Sequence, residues 1–72
     1  MMDVYLEKIA EILDEERVSP DAVLADFDSW DSLAMLSAAM LATELFGRTV
    51  DGQTIRAATT VEDLFLRLKG DK

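Results

Sequence analysis

The sequence predicts a single small all-α bundle. Apolar residues recur at helical spacing in several segments, and no segment has the alternating pattern of a β-strand. No repeat or linker divides the 72 residues. A chain of this length buries only about 60% of its unfolded surface, which leaves little room for an enclosed active site. We therefore expect one domain, residues 1–72, that is not an enzyme.

The first helix is predicted to run from Met2 to Glu16. Its apolar residues follow the i, i+3, i+4, i+7 rule on one face. These residues are Met2, Tyr5, Leu6, Ile9, Ile12 and Leu13. The next segment, "VSPDAVLADFDSW", contains the turn signal Ser19-Pro20-Asp21. It predicts a loop that packs on the core and holds one short turn after Pro20.

The second helix is predicted from Ser32 to Phe46, since no residue in this span breaks a helix and Gly47 stands where a C-terminal cap glycine belongs. At about 100° per residue, two stripes separate. One stripe holds Leu33, Ser37, Met40 and Glu44, and the other holds Met35, Ala38, Ala39, Ala42 and Phe46. We assign the second stripe to the core and expect the first, with its leucine and methionine beside polar groups, to be a docking surface.

Two leucines lie at one edge of the predicted core stripe. Leu41 and Leu45 are spaced i, i+4, and we expect them to be partly exposed. Our hypothesis from the sequence is that this apolar edge binds a partner or a second copy of the chain.

The C-terminal third predicts two more helices. A short one is expected from Gly52 to Ala57. Thr60 then has the residue type and position of an N-cap for a last helix. The predicted core residues of that helix are Val61, Leu64, Phe65 and Leu68.

The composition excludes several kinds of chemistry. There is no cysteine and no histidine, so disulfides, typical zinc sites and Ser-His or Cys-His catalysis are absent. "DFDSWD" has the first acidic positions of a calcium loop. Counted from Asp26, however, Asp31 stands where the loop needs glycine and Ser37 where it needs glutamate. We therefore predict no metal site.

The net charge of −8 is concentrated in the first half of the chain. Residues 1–31 hold ten acidic and two basic residues, and residues 32–72 hold five of each. Such a surface repels nucleic acid and anionic membranes, so we expect neither as a partner. The N-terminal segment is acidic, unlike a signal peptide, and no apolar run is long enough to span a membrane. A cytoplasmic location and a monomer are expected.

Two Asp-Ser pairs, Asp28-Ser29 and Asp31-Ser32, precede the second helix. Asp and Ser are preferred N-caps because they accept hydrogen bonds from the free N–H groups of the first helical turn. Capping explains the pair that contains Asp31, but it does not explain Asp28-Ser29. The residues after the two pairs favour Ser32 over Ser29 as the serine with a chemical role, since only Ser32 lies next to the candidate docking surface.

Several motifs together resemble the acyl carrier protein and peptidyl carrier protein family over essentially the whole chain. They are "WDSLAML", "ATELFG" and "TTVEDLF". The family motif is Asp-Ser-Leu at the start of the second helix of a four-helix bundle, with a short third helix and Thr-Val-x-Asp at the start of the fourth. Asp31-Ser32-Leu33 and Thr60-Val61-Glu62-Asp63 match these places. The resemblance therefore implies a four-helix bundle of acyl-carrier-protein type.

The resemblance also implies a function and a cofactor. Ser32 would carry covalent 4′-phosphopantetheine, transferred from coenzyme A by a phosphopantetheinyl transferase, and Asp31 would cap the helix within the motif. Acyl or aminoacyl groups would be attached by a loading ligase and passed to downstream enzymes of fatty-acid or secondary-metabolite biosynthesis.

Two departures from the family pattern point to a specialised carrier. Ser29 replaces the usual glycine two positions before the Asp-Ser pair, and Glu44 is the only acid in the second helix after Asp31. Partners are therefore expected to rely less on charge along that helix. They would meet Asp26 and Asp28 in the loop together with apolar Leu33 and Met40.

Two alternatives stay open. An aminoacyl or peptidyl carrier would have the same fold, and nothing in the residues separates it from an acyl carrier. The other alternative is an unmodified helical module in which Asp31 is only a cap and Leu33, Met40 and the acidic face bind a partner protein.

Overall fold

The computed structural model describes residues 1–70, which form four α-helices and one 3₁₀ helix. The α-helices are α1 (Met2–Ile12), α2 (Ser32–Phe46), α3 (Gly52–Arg56) and α4 (Val61–Lys69), and the 3₁₀ helix is Leu24–Asp26. Within these residues the only β-pairing is an isolated antiparallel bridge between Val23 and Thr60. The all-α prediction and the short third helix are confirmed. No helix of the described chain combines the length and apolarity needed to span a membrane.

Helix α1 ends four residues earlier than its apolar pattern predicted, so the boundary at Glu16 was wrong. Asp14 adopts a left-handed conformation (φ 60°), and the N–H of Glu15 donates to the carbonyl of Ala10 over 2.8 Å. Asp tolerates this conformation better than most residues. If the helix continued to Glu16, the acidic residues from Asp14 to Glu16 would lie at the negative end of the helix dipole. The last turn of α1 has no basic residue that could offset this repulsion.

The other helix boundaries follow their local signals. The Asp31 carboxylate accepts a hydrogen bond from the N–H of Ala34 (2.9 Å) at the start of α2, and Gly47 ends that helix with φ 63°. Thr60 Oγ1 accepts from the N–H of Asp63 (3.0 Å) at the start of α4. The expected helix at Gly52 ends at Arg56, and Ala57 is its C-cap.

The loop between α1 and α2 packs on the core, as the sequence predicted, and the structure shows that it is also tied to the start of α4. The N–H of Ala22 donates to Ser19, which closes a turn around Pro20. Two carbonyls of the loop then satisfy N–H groups in the first turn of α4. Pro20 accepts from Glu62 (2.7 Å), and Ala22 accepts from Val61 (3.0 Å). These bonds hold the loop that leads to Ser32.

A buried tyrosine joins three of the helices. Tyr5 is completely buried, and its hydroxyl donates to the carbonyl of Val61 over 2.6 Å. Its ring packs against Phe65 with centroids 4.9 Å apart, and Phe65 contacts Phe46 at 5.7 Å. Burial raises the pKa of the Tyr5 hydroxyl, with a further contribution from Asp63, so the group stays protonated as a donor. The cluster connects α1, α4 and α2.

The buried face of α2 differs from the predicted stripe. Ala38 and Ala42 are buried as predicted, whereas Met35, Ala39 and Phe46 are half-buried and packed against the core. The remaining buried residues of α2 are Ala34 and Leu41.

The expectation that Leu41 and Leu45 are both partly exposed was wrong for Leu41 and is confirmed for Leu45, so the two leucines do not form a common exposed edge. Leu41 is only 4% exposed, and Leu45 is half-buried against the core. The leucines of α2 that face solvent are Leu33 and Leu36, with 72% and 59% of their surface exposed. The cause is that α2 is apolar around most of its circumference and contacts α1, α3 and α4. Its pattern alone therefore did not identify the buried face.

Leu41 and Leu36 provide a matched test of the orientation of α2. Leu41→Ala is expected to lower the free energy of unfolding by about 2–5 kcal/mol, since it opens a cavity in the core. Leu36→Ala is expected to change it by less than about 0.5 kcal/mol because that side chain is exposed. Urea unfolding of both variants measures the difference. Equal losses would contradict the orientation of α2.

Candidate functional site

Ser32 is the first residue of α2 and lies directly after its N-cap. Its side chain is exposed, and within residues 1–70 its hydroxyl forms no hydrogen bond. The N–H of Ala34 donates to the Asp31 carboxylate, so the cap of α2 does not use the Ser32 hydroxyl. The other free N–H groups of the first turn and the positive end of the helix dipole favour an anion at this position. A phosphate ester on Ser32 would be stabilised there.

The other serine of the two pairs has a different environment. Ser29 lies in the loop and is half-buried, and its carbonyl accepts a hydrogen bond from the N–H of Asp31 (2.9 Å). Asp28 is exposed and caps no helix. Of the two serines, Ser32 is therefore the more accessible nucleophile.

A groove between α2 and α3 begins at Ser32. We call it the α3-side groove, and it has a volume of about 320 Å³. Its lining residues are Ser32, Met35, Leu36, Ala39, Val50, Gly52, Ile55 and Arg56. Most of this surface is apolar, and Arg56 is its only charged residue. The groove can accept a flexible apolar group attached at Ser32.

The opposite side of α2 borders α1 and is more acidic. Two grooves lie there, with volumes of about 490 and 230 Å³, and we call them together the α1-side grooves. Their charged lining residues are Lys8, Glu11, Asp31 and Glu44. Lys8 Nζ lies 3.8 Å from Glu44 Oε2, so its charge is paired within the groove.

The structure brings the predicted docking residues of α2 together but not those of the loop. Leu33, Ser37, Met40 and Glu44 all line the α1-side grooves. Asp26 and Asp28 are exposed but line none of the three grooves.

The sequence did not point to two residues of this site, Leu36 and Arg56. Leu33 and Met40 are 72% and 66% exposed, and Leu36 continues the same outer apolar surface. Its spacing from Leu33, i+3, was the signal that could have identified it. Arg56 carried no signal, since it lies 24 positions from Ser32 and reaches the groove only through the packing of α3 on α2.

The carboxyl groups with perturbed pKa values lie outside this site. A hydrogen bond from the backbone N–H of Thr59 is the main cause of the lowered pKa of Asp63, and the backbone N–H of Thr54 lowers the pKa of Asp51. Both carboxylates stabilise helix starts. Across residues 1–70 there is also no cluster of three His, Cys, Asp or Glu side chains that could hold a metal ion.

Comparisons with known proteins find no relative of this chain. No protein-family model matches the chain, and neither the curated proteins nor the solved structures contain a significant match.

The cap at Asp31 provides a test of the local structure at Ser32. Asp31→Ala is expected to lower the free energy of unfolding by about 1 kcal/mol, because the N–H of Ala34 loses its acceptor. Asp31→Asn is expected to retain most of that stability, since Asn is an equally good N-cap. Urea unfolding and amide exchange at Ala34 measure both effects. If the Ala variant exchanged as slowly as wild type, Asp31 would not be the functional cap.

Proposed function

We propose that the chain is a carrier protein in a specialised biosynthetic pathway. It bears acyl or aminoacyl groups as thioesters on a 4′-phosphopantetheine arm attached to Ser32 and presents them to separate enzymes. The observation that carries this proposal is Ser32 itself. It is an exposed hydroxyl without a hydrogen-bond partner in the described chain, lies at the start of a long helix and opens onto an apolar groove.

The residues around Ser32 fit this prosthetic group. The N-terminus of α2 favours the negative charge of a phosphodiester at Ser32. Met35, Leu36 and Ala39 of the α3-side groove offer apolar surface beside the attachment point. When bound, the group supplies a terminal thiol that carries acyl groups as thioesters.

The chain itself performs no catalysis in this proposal. The grooves along α2 lie at the surface and contain no histidine or cysteine that could act as a base or a nucleophile. Attachment of the arm needs none, because a separate transferase with Mg²⁺ supplies the activation. Ser32 needs only to be accessible, and its exposure supports this role.

Enzymes that act on the carrier are proposed to bind the outer surface of α2. Leu33, Leu36 and Met40 form an exposed apolar strip at i, i+3, i+7, next to Ser32. An apolar strip within an acidic domain suits a partner with an apolar groove rimmed by basic residues.

The same strip favours a second candidate function. Without any modification of Ser32, the apolar strip and the acidic first half of the chain would make a helical protein-interaction module. The two functions differ in whether Ser32 is modified, which an experiment can decide.

Modification is tested by the intact mass after incubation with coenzyme A, Mg²⁺ and a broad-specificity phosphopantetheinyl transferase. We expect one phosphopantetheine adduct on the wild-type chain, because the Ser32 hydroxyl is exposed. Ser32→Ala is expected to abolish the adduct. Ser29→Ala is the matched control, and it should be modified like wild type. Absence of the adduct with several transferases would favour the unmodified module, and an adduct that persists in Ser32→Ala would place the arm elsewhere.

Docking on the apolar strip is tested by the rate of this modification. The double variant Leu33→Ser/Leu36→Ser is expected to lower the kcat/KM of the transferase by about fivefold or more, since it removes apolar contact area beside the reacting hydroxyl. Leu66→Ser serves as the control because Leu66 is an exposed leucine on α4, distant in sequence from the strip. Equal kcat/KM values for both variants would refute docking on α2.

A further inference from the structure

The two sides of α2 differ in the charge that they offer to a group attached at Ser32. Glu11, Asp31 and Glu44 line the α1-side grooves, where Lys8 is already paired with Glu44. The α3-side groove contains Arg56 and no acidic residue. Ser32 lines the α3-side groove and neither of the others. A group attached there therefore starts beside a groove whose only charged lining residue is Arg56.

Arg56 takes part in no salt bridge within the described residues. The salt bridges within residues 1–70 join Lys8 to Glu44 and Arg67 to Asp63. Arg56 is exposed in the last turn of α3, beside the apolar wall formed by residues such as Ile55 and Leu36. A guanidinium without a carboxylate partner at the rim of an apolar groove is complementary to a ligand with an apolar body and an anionic end.

We propose that the α3-side groove accepts acyl cargo ending in a carboxylate, and that Arg56 is the residue that determines this specificity. The proposal rests on the carrier function proposed above and deepens it, since it selects an acyl cargo with an anionic end over an aminoacyl cargo. The ammonium group of an aminoacyl cargo would be repelled by Arg56 in this groove and attracted to the acidic α1 side.

The dimensions of the groove suit a short cargo. From Ser32 to Ala39 the helix rises about 10 Å, and the groove volume is about 320 Å³. The methylene groups of such a cargo would contact Met35, Leu36 and Ala39, which keep exposed surface in the groove, and its carboxylate would reach the guanidinium of Arg56. The arm must fold back over the groove for this contact. Bound and extended arms are therefore in exchange, and the measurable quantity is the fraction bound.

The expected effect is moderate because Arg56 is exposed to solvent. A pair between an exposed guanidinium and a carboxylate changes the bound fraction by about two- to fivefold. The same exposure means that Arg56→Gln should leave the fold intact, so the variant can be compared directly with wild type.

The experiment loads the chain with three groups of equal length from the corresponding coenzyme A thioesters. They are adipoyl, hexanoyl and 6-aminohexanoyl, which end in a carboxylate, a methyl and an ammonium group. Cleavage of each thioester by hydroxylamine is measured and divided by the rate for the free coenzyme A thioester, so intrinsic reactivity cancels. NMR shifts of the Ile55 amide and the Arg56 side chain report contact in the groove.

We expect the adipoyl thioester to be protected about two- to fivefold more than the hexanoyl one, and the 6-aminohexanoyl thioester to be protected least. Arg56→Gln should remove the difference between adipoyl and hexanoyl. Arg48→Gln is the matched control and should retain it, because Arg48 is exposed but lies beside Gly70 and not in the groove.

Two negative results have different meanings. If all three groups are attached to Ser32 but are protected equally, or if Arg56→Gln keeps the difference, the specificity proposal is overturned and the carrier function stands. If no group is attached by any transferase, the carrier function fails and the specificity proposal fails with it.

Discussion

The fold depends on the contact between the Tyr5 hydroxyl and the carbonyl of Val61. This 2.6 Å hydrogen bond fixes the middle of α1 against the first residue of α4 in a fully buried environment. A single bond of this kind contributes only about 1 kcal/mol net, but leaving either buried group unpaired would cost about 1–3 kcal/mol. The packing of Tyr5 on Phe65, and of Phe65 on Phe46, extends the same contact to α2. The three longest helices are therefore oriented by one cluster.

That arrangement also positions the site. The start of α4 is held by the carbonyls of Pro20 and Ala22, and the N–H of Leu24 donates to Thr59 (2.9 Å). The loop that leads to Asp31 is thereby anchored at its beginning, while Ser32 remains at the surface. Because Ala38 and Ala42 are small, α2 can lie close to its neighbours and still leave its larger residues Leu33 and Met40 outside. The result is a serine at an open surface and not in an enclosed cavity.

The distribution of charge gives the two sides of α2 different properties. The acidic residues of the first half of the chain reach the α1-side grooves through Glu11 and Asp31, whereas the second half has equal numbers of acids and bases and contributes Arg56 to the α3-side groove. A net charge of −8 would repel an anionic cargo from most of the surface. The groove at Ser32 is the exception, and this contrast gives Arg56 its proposed role.

The sequence by itself determined the features that depend on neighbouring residues. It predicted the span of α2 and the caps at Asp31, Gly47 and Thr60, because a cap satisfies backbone groups within one helical turn. It predicted the buried face of α4, whose polar and apolar residues are clearly separated. It misplaced the end of α1, where the left-handed conformation of Asp14 overrode an apolar pattern that continues to Leu13.

Only the tertiary structure decided which side of α2 is buried and what lies beside Ser32. An almost uniformly apolar helix can be buried on several faces, and contacts with α1, α3 and α4 select one of them. This selection buries Leu41, exposes Leu36 and brings Arg56 to the groove at Ser32. Residues so far apart in the chain become neighbours only through packing, which is why the sequence offered Ser32 as a candidate but did not reveal the groove next to it.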